Sequence, residues 1–185
     1  MAIKRQITVV GLGSIGRRHA RLLSERNDIE LNVCEPIKSS LKIARKELGE
    51  LRNYISFESV LENSPDMVVI ATPHSLHKEQ TIAALQAGFH LLCENPMSGN
   101  LEDSQAMHTA ALSAKTILNI GFQNHFHPAF IRIKSIIEAG LLGTILHAYF
   151  HVGTYVTLLN SLSRYQRSIE GALFLDYAHQ PDLFY

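Results

Sequence analysis

One short stretch near the N-terminus constrains the fold more than any other: residues 7–16, which read ITVVGLGSIG. Four β-branched residues lead directly into glycines at positions 11, 13 and 16, and a helical pattern begins immediately afterwards. This order of strand, glycine-rich turn and helix is the context in which Gly-x-Gly-x-x-Gly indicates dinucleotide binding. The stretch therefore predicts the first βα unit of a nucleotide-binding α/β domain.

Each glycine of this motif has a separate mechanical role. Gly11 allows the tight turn, Gly13 lets the backbone approach a pyrophosphate, and Gly16 lets the helix pack closely on the strand. The N-terminus of the helix adds free N–H groups and the positive end of the helix dipole. We therefore predict that a dinucleotide contacts the residues of this turn, which are Gly11, Gly13, Ser14, Ile15 and Gly16.

An acidic residue follows at the expected distance. The second predicted strand, residues 29–34, ends at Glu35, about 20 residues beyond the last glycine of the motif. A carboxylate here accepts hydrogen bonds from the ribose hydroxyls and repels a 2′-phosphate, so the sequence predicts NAD rather than NADP. The neighbouring Lys38 leaves NADP open as the weaker alternative. A glycine-rich turn in a nucleotide-free α/β domain is the hypothesis that competes with both.

The composition restricts partners and compartment. The chain of 185 residues carries 17 basic and 17 acidic side chains, a net charge of zero that does not suit a nucleic-acid partner. No apolar run approaches the roughly 18 residues of a membrane span. The first residues lead directly into a strand and resemble no signal peptide. We expect a cytoplasmic protein with neither a nucleic acid nor a membrane as partner.

Cysteines and histidines give limited information about the chemistry. Cys34 and Cys93 both end apolar runs, so we favour two buried thiols over a disulfide, which the sequence leaves open. The ten histidines form pairs without a cysteine or carboxylate at zinc-ligand spacing. We therefore predict no metal site.

Strand-like and helical patterns alternate up to residue 121. This alternation predicts the α/β class, with a doubly wound parallel sheet (a Rossmann fold) in a dinucleotide-binding domain of residues 1–121. The predicted strands are residues 7–10, 29–34, 54–57, 67–71, 89–93 and 116–120. After the first helix, three main helices are predicted, at residues 37–48, 75–87 and 101–114. Their predicted inward residues are Leu41, Ala44 and Leu48 in the first of these, Leu76, Ile82 and Leu85 in the second, and Met107, Ala110 and Ala111 in the third.

The pattern changes after residue 121. A helix is expected to begin at Pro128, with Phe126, Phe130 and Ile133 as core, and residues 143–153 alternate as in one long strand. We interpret residues 122–185 as the truncated start of a second α/β domain. The long strand would leave an unpaired edge or an uncovered apolar face, which predicts self-association or poor solubility.

Motifs in the second half of the nucleotide domain resemble those of the Gfo/Idh/MocA oxidoreductase family. Residues 71–77 read ATPHSLH and residues 84–96 read ALQAGFHLLCENP, beside the family patterns A-T-P-x-x-x-H and A-L-x-A-G-K-H-V-x-x-E-K-P. Residues 121–128 resemble the family's entry into its second domain, and residues 171–179 resemble its catalytic helix.

The resemblance implies a two-domain NAD(P)-dependent dehydrogenase that acts on a carbinol carbon of a sugar, cyclitol or related polyol. It also implies that the second domain binds this small-molecule substrate and mediates homo-oligomers. By the resemblance, the nicotinamide side of the cofactor is contacted by Thr72, Pro73, His77 and Glu94.

The catalytic residues implied by the resemblance include one departure from the family. Asp176 and His179 match its acid/base pair, whereas Asn95 stands in the place of its catalytic lysine. An asparagine amide does not titrate, so proton transfer would fall on His179, with Asp176 orienting it. The alternative hypothesis is a non-catalytic dinucleotide-binding module, because the lysine is replaced and the second domain is incomplete.

Overall fold

The computed structural model of the protein describes residues 4–151 and 178–183. Strands and helices alternate along most of this length. The strands are β1 (Arg5–Val10), β2 (Ile29–Cys34), β3 (Arg52–Tyr54), β4 (Met67–Ile70), β5 (His90–Cys93) and β6 (Leu118–Ile120). The helices are α1 (Ser14–Ser24), α2 (Lys38–Leu48), α3 (Phe57–Glu62), α4 (His77–Gln86), α5 (Leu101–Ser113), α6 (Pro128–Glu138) and α7 (His179–Asp182), and two 3₁₀ turns lie at His74–Leu76 and Gln123–Phe126.

The six strands form one parallel sheet in the order β3-β2-β1-β4-β5-β6. The predicted doubly wound α/β fold is therefore confirmed. The register aligns Val10, at the end of β1, with Cys34 of β2 and Ile70 of β4. Strand order reverses between β1 and β4, and in such sheets the ligand crevice lies beyond the carboxyl ends of the strands at this point.

Both faces of the sheet are covered by helices. Ile7 and Val9 of β1 pack in one buried cluster with side chains of α1 and α2, whereas Val10 packs in the other with α3, α4 and α5. Successive residues of a strand point to opposite faces, so a continuous apolar run suits a strand buried on both sides. The predicted inward residues of α2 and α5, including Ala44 and Met107, lie in these two clusters.

Helix α1 approaches the sheet through small residues. Its fully buried positions are Gly16 and Ala20, while Ile15 and Leu22, which share the helical spacing in the sequence, are exposed. Small side chains on the inner face bring the helix axis close to β1. Of the apolar residues in this pattern, Leu23 packs against the core, so apolar spacing marks the inner face of α1 only in part.

Two predicted details within residues 1–121 are wrong. The strand predicted at residues 54–57 ends at Tyr54, because Ser56 caps α3 by accepting a hydrogen bond from the Ser59 N–H at 3.3 Å. Leu76 was expected to point inward. It is exposed instead, because the chain makes a 3₁₀ turn there and the first inward position of α4 is His77.

Cys34 and Cys93 are free, buried thiols, as favoured from the sequence. Burial raises the pKa of Cys34 to about 11 and that of Cys93 to about 12. The thiolate is the reactive form of cysteine, so the folded protein keeps both side chains unreactive at neutral pH.

We expect a thiol reagent such as DTNB to modify neither cysteine of the native protein at pH 8, during a period in which the urea-unfolded chain reacts at both. The raised pKa values suppress the thiolate, and burial excludes the reagent. Absorbance of the released thionitrobenzoate measures the extent. Rapid modification of one thiol in the native protein would contradict the buried placement.

The chain divides into two compact units, Met1–Gly121 and Phe122–Tyr185. In the second unit, α6 begins at Pro128 as expected, with His127 as its N-cap. The strand predicted at residues 143–153 is not formed: residues 145–151 have no regular secondary structure, and residues 152 and 153 lie outside the described part. A strand needs a pairing partner, and local alternation does not provide one.

The expected core of the second unit is also wrong in part. Phe126 is 82% exposed, Ile133 is exposed and Phe130 is only partly buried. Phe130 and Ile133 lie on α6, whereas Phe126 lies in the preceding 3₁₀ turn, and the burial of each depends on what packs against it. None of the helices in the described ranges is long and apolar enough to cross a membrane.

Candidate nucleotide-binding site

The predicted cofactor-contacting residues of the first unit converge on one edge of the sheet. The glycine turn follows β1, Glu35 follows β2, Thr72 follows β4, and Glu94 follows β5. These strands are parallel neighbours, so their carboxyl ends share an edge. The topology therefore gathers residues that are far apart in the sequence.

Two glycines of the motif are required by close backbone approach. Gly11 has φ +87°, and a Cβ placed there would lie 2.8 Å from the carbonyl oxygen of Ala71. A Cβ on Gly16 would overlap the carbonyl oxygen of Gly11. The turn is thus closed against α1 and against the end of β4, which are the roles predicted for a tight turn and a close helix contact.

Gly13 faces an open space. It is exposed, its φ of −64° is accessible to any residue, and a Cβ placed there would meet no atom within 4 Å. Gly13 is also the N-cap of α1, so no N-cap side chain occupies the first N–H groups of the helix. Ser14 and Ile15 beside it are exposed. This is a cradle that fits a pyrophosphate.

The Glu35 carboxylate lies beside this cradle. Its Oε2 accepts a hydrogen bond from the Leu12 N–H, and its Oε1 accepts one from the Ile37 N–H, both at 2.8 Å. The residue is 6% exposed, and the Asn53 side chain fixes its backbone by accepting from the Glu35 N–H at 3.0 Å. An ionised carboxylate has about four lone-pair sites, so two remain for the vicinal hydroxyls of a ribose.

His77, which the family resemblance places at the nicotinamide side of the cofactor, is buried between two loops. It is 1% exposed, with Nε2 2.9 Å from the carbonyl oxygen of Thr72 and Nδ1 2.9 Å from that of Pro96. Burial lowers the pKa of His77. The two ring nitrogens therefore face the loops after β4 and β5, and a neutral imidazole donates to one of the two carbonyl oxygens. Contact of His77 with a cofactor stays a prediction.

Thr72 and Pro73 lie in the loop after β4, where Thr72 is partly buried and Pro73 is exposed. The Thr72 hydroxyl donates to Oε1 of Gln80 at 2.7 Å, which ties the loop to α4.

Glu94 is held by residues from three elements. His19 of α1 places Nε2 2.6 Å from Glu94 Oε1, and the backbone N–H of Asn95 donates to Oε2 at 3.3 Å. A Cβ on Gly121 would lie 2.8 Å from Oε2. The Asn95 amide donates to the Gly121 carbonyl oxygen at 2.9 Å, so it connects the loop after β5 to the end of β6.

His179 belongs to the second unit. Its ring lies edge-on to Phe122, with ring centroids 5.8 Å apart. In the same unit, Nε2 of His125 lies 2.6 Å from Oδ2 of Asp182. Asp176, the predicted partner of His179, lies outside the described residues. Within residues 4–151 and 178–183, no three His, Cys, Asp or Glu side chains form a group that could hold a metal ion.

Three contributors to the site were missed from the sequence: His19, Asn53 and Gly121. His19 stands among apolar residues in the α1 pattern, and a histidine on an inward helix face is the one available signal. Asn53 and Gly121 carry no signal of their own, because their partners come from other strands.

Comparisons with known proteins agree with this geometry. Residues 5–122 match the model of a family described as "Oxidoreductase family, NAD-binding Rossmann fold" (GFO_IDH_MocA). Myo-inositol 2-dehydrogenase of Thermotoga maritima is 31% identical over 140 residues, which are 75% of this chain and 42% of that protein. D-glucoside 3-dehydrogenase of Escherichia coli is 27% identical over 162 residues, which are 86% of this chain and 44% of that protein.

A solved structure extends the similarity to the fold. The crystal structure of scyllo-inositol dehydrogenase from Lactobacillus casei, with bound NAD(H) and scyllo-inositol, matches with a TM-score of 0.71 and 26% identity. The match covers 77% of this chain and 43% of that one. The chain thus spans less than half the length of these three relatives.

Proposed function

The chain belongs to the Gfo/Idh/MocA family of oxidoreductases, and from this premise we propose that it binds NAD(H) as part of a sugar or cyclitol dehydrogenase. The relatives that suggest the substrate class are dehydrogenases of inositols and of a glucoside. When bound, the nicotinamide ring accepts or supplies a hydride. The residues of this chain bind the cofactor, orient it and move the proton.

The observation that carries the proposal is the pairing of an open cradle with a carboxylate. Gly13 leaves room for the pyrophosphate at the N-terminus of α1, and Glu35 is fixed beside it through the Leu12 N–H. A cofactor that spans both sites places its adenosine ribose over β2 and its nicotinamide end over β4 and β5. Thr72, Pro73 and Glu94 would lie along that nicotinamide end.

We expect the protein to bind NADH more tightly than NADPH, by about tenfold or more, because the Glu35 carboxylate repels a 2′-phosphate. Titration of each nucleotide, followed by its fluorescence, measures the two dissociation constants. Equal or tighter binding of NADPH would refute this preference, and Lys38, the first residue of α2, would be the first residue to substitute.

For the chemical step, we propose that His179 exchanges the proton of the substrate hydroxyl and that Asp176 orients it. An imidazole titrates near neutral pH, whereas the amide of Asn95 does not. Asn95 would contribute a hydrogen bond from its amide and would hold the loop after β5 against β6. The roles of His179 and Asp176 are transferred from the matching positions of the family pattern.

The contacts of Asn95 favour a second candidate function, that of a dinucleotide-binding module without turnover. Its amide nitrogen donates to the Gly121 carbonyl oxygen at 2.9 Å and lies 3.5 Å from Glu94 Oε2, so this nitrogen already has acceptors in the loop after β5 and at the end of β6. A lysine, by contrast, would extend an ammonium group toward a substrate. In this candidate the first unit binds NADH and nothing is oxidised.

Reduction of NAD with a panel of polyols and sugars distinguishes the two candidates. Turnover that is lost in His179→Ala, with NADH binding unchanged, would support the dehydrogenase. NADH binding without turnover across the panel, not restored by Asn95→Lys, would support the module. The absorbance of NADH measures both outcomes.

We also propose a homo-oligomer, formed through the second unit, in the cytoplasm. The second unit exposes large apolar side chains, including Phe126 and Leu146, which is 91% exposed. Exposed apolar surface of this kind favours association, and two free thiols suit a reducing compartment. Light scattering should give a mass above the 20.7 kDa of one chain, whereas a monomer at high concentration would contradict the proposal.

A further inference from the structure

A short contact links the two ends of the proposed cofactor site. His19 lies on α1, one turn beyond Gly16, and its Nε2 is 2.6 Å from Oε1 of Glu94, which follows β5. Strand β4 lies between β1 and β5 in the sheet. The contact therefore connects the helix that follows β1 with the loop that follows β5. The helix whose N-terminus would bind the pyrophosphate therefore also holds the carboxylate at the nicotinamide end.

The surroundings make this contact a strong one. The side chains of His19 and Glu94 are only 25% and 16% exposed, so water competes weakly for the hydrogen bond. The imidazole can donate from Nε2 whether it is neutral or protonated. On the other side, the Asn95 N–H contacts Oε2 at 3.3 Å, and the carboxylate occupies space that a Cβ at position 121 would fill.

We propose that His19 is a positioning residue for the nicotinamide ribose: it fixes the Glu94 carboxylate so that Oε2 is presented to the ribose hydroxyls. This inference rests on the proposed function, since it assigns a role within the same NAD(H) site. Oε1 has the short contact with His19, whereas Oε2 has two long contacts, from the backbone N–H and the amide nitrogen of Asn95 at 3.3 and 3.5 Å, and retains acceptor capacity.

The residue at position 95 explains why α1 has this role. Asn95 brings no charge to Glu94, and its amide nitrogen is 3.5 Å from Oε2 but 2.9 Å from the Gly121 carbonyl oxygen. The stronger contact of that amide is therefore with the backbone. The short contact that orients the carboxylate comes from His19.

The test compares two ligands that differ at the nicotinamide end. NADH contains the nicotinamide ribose, whereas ADP contains only the adenosine and the pyrophosphate. Calorimetry with the full chain measures both dissociation constants for the wild type, His19→Ala, His19→Gln, Glu94→Ala and the double variant. His108→Ala is the matched control, because His108 is an exposed histidine on α5.

We expect His19→Ala to weaken the affinity for NADH about tenfold, which is the loss expected for one hydrogen bond to a charged group. The affinity for ADP should stay within about twofold of the wild type. In His19→Gln the amide nitrogen reaches about the Nε2 position, so the affinity for NADH should return to within about threefold of the wild type. The double variant should bind NADH no more weakly than Glu94→Ala, because His19 acts through Glu94.

Two results would overturn the proposal. One is an equal loss of NADH and ADP in His19→Ala, which would indicate a structural effect on α1. The other is an unchanged NADH affinity, or losses that simply add in the double variant. A wild-type protein that binds neither ligand would instead refute the proposed NAD(H) site itself, so the two failures are distinguishable.

Discussion

Replacement of Gly16 by alanine is expected to destabilise the first unit by about 3 kcal/mol and to lower Tm by about 10 °C. The added Cβ would overlap the carbonyl oxygen of Gly11 and come within 3.4 Å of the Ala71 Cβ, so α1 must move away from the sheet. A methyl group forced into a contact between two backbone segments has no rotamer by which to escape. Thermal unfolding followed by circular dichroism measures the loss.

Gly13→Ala is the matched control for this variant, because it adds the same methyl group three residues earlier, in open space. Alanine is a weaker N-cap than glycine, so we expect a stability loss of only about 0.5 kcal/mol. The methyl group would, however, keep phosphates away from the first N–H groups of α1. Loss of about two charge-assisted hydrogen bonds corresponds to roughly 100-fold weaker NADH binding.

The two glycine variants together separate folding from binding. If Gly16→Ala unfolds at the wild-type temperature, the close contact of α1 with the turn is wrong. If Gly13→Ala binds NADH with wild-type affinity, the cradle at the N-terminus of α1 is not the pyrophosphate site.

Glu35→Ala should reduce NADH affinity by on the order of 100-fold or more, since the ribose would lose two hydrogen bonds to a carboxylate. The same change should lower stability by about 2 kcal/mol, because the buried Leu12 loses the acceptor of its backbone N–H. NADPH should lose much less affinity, because the repulsion of its 2′-phosphate disappears with the carboxylate. Fluorescence titration and thermal unfolding measure the two effects.

Glu30→Ala is the matched control for charge and strand, because Glu30 lies on β2 but is exposed. It should leave both nucleotide affinities and Tm close to the wild type. If Glu35→Ala weakened the affinities for NADH and NADPH by the same factor, the carboxylate would support the turn without contacting the ribose.

The nucleotide-binding part of the site could be predicted because its determinants are close in sequence. The run from β1 through Gly16 encodes strand, turn and helix locally, and Glu35 follows after one further helix and strand. Glycine is required where the backbone has no room for a Cβ, and an apolar run of four or more residues marks a central strand. These local causes also identified the parallel sheet and the family.

The nicotinamide end could not be predicted in the same way. His19 and Glu94 are 75 residues apart, and their contact exists only because the strand order places β5 two strands from β1. The sequence pattern marks His77, but only the structure shows that it is buried, with the carbonyl oxygens of Thr72 and Pro96 at its two ring nitrogens. The sequence pattern identifies such residues without stating which way they face.

By itself, the sequence determined the class of fold, the glycine turn and the two buried thiols, because each depends on backbone space, residue spacing or apolar runs within a few neighbouring elements. The tertiary structure decided which side chains hold Glu94, where His77 lies, and that residues 143–151 form no strand. Those outcomes depend on partners from distant parts of the chain, and a hydrogen bond or a strand exists only when its partner is in place.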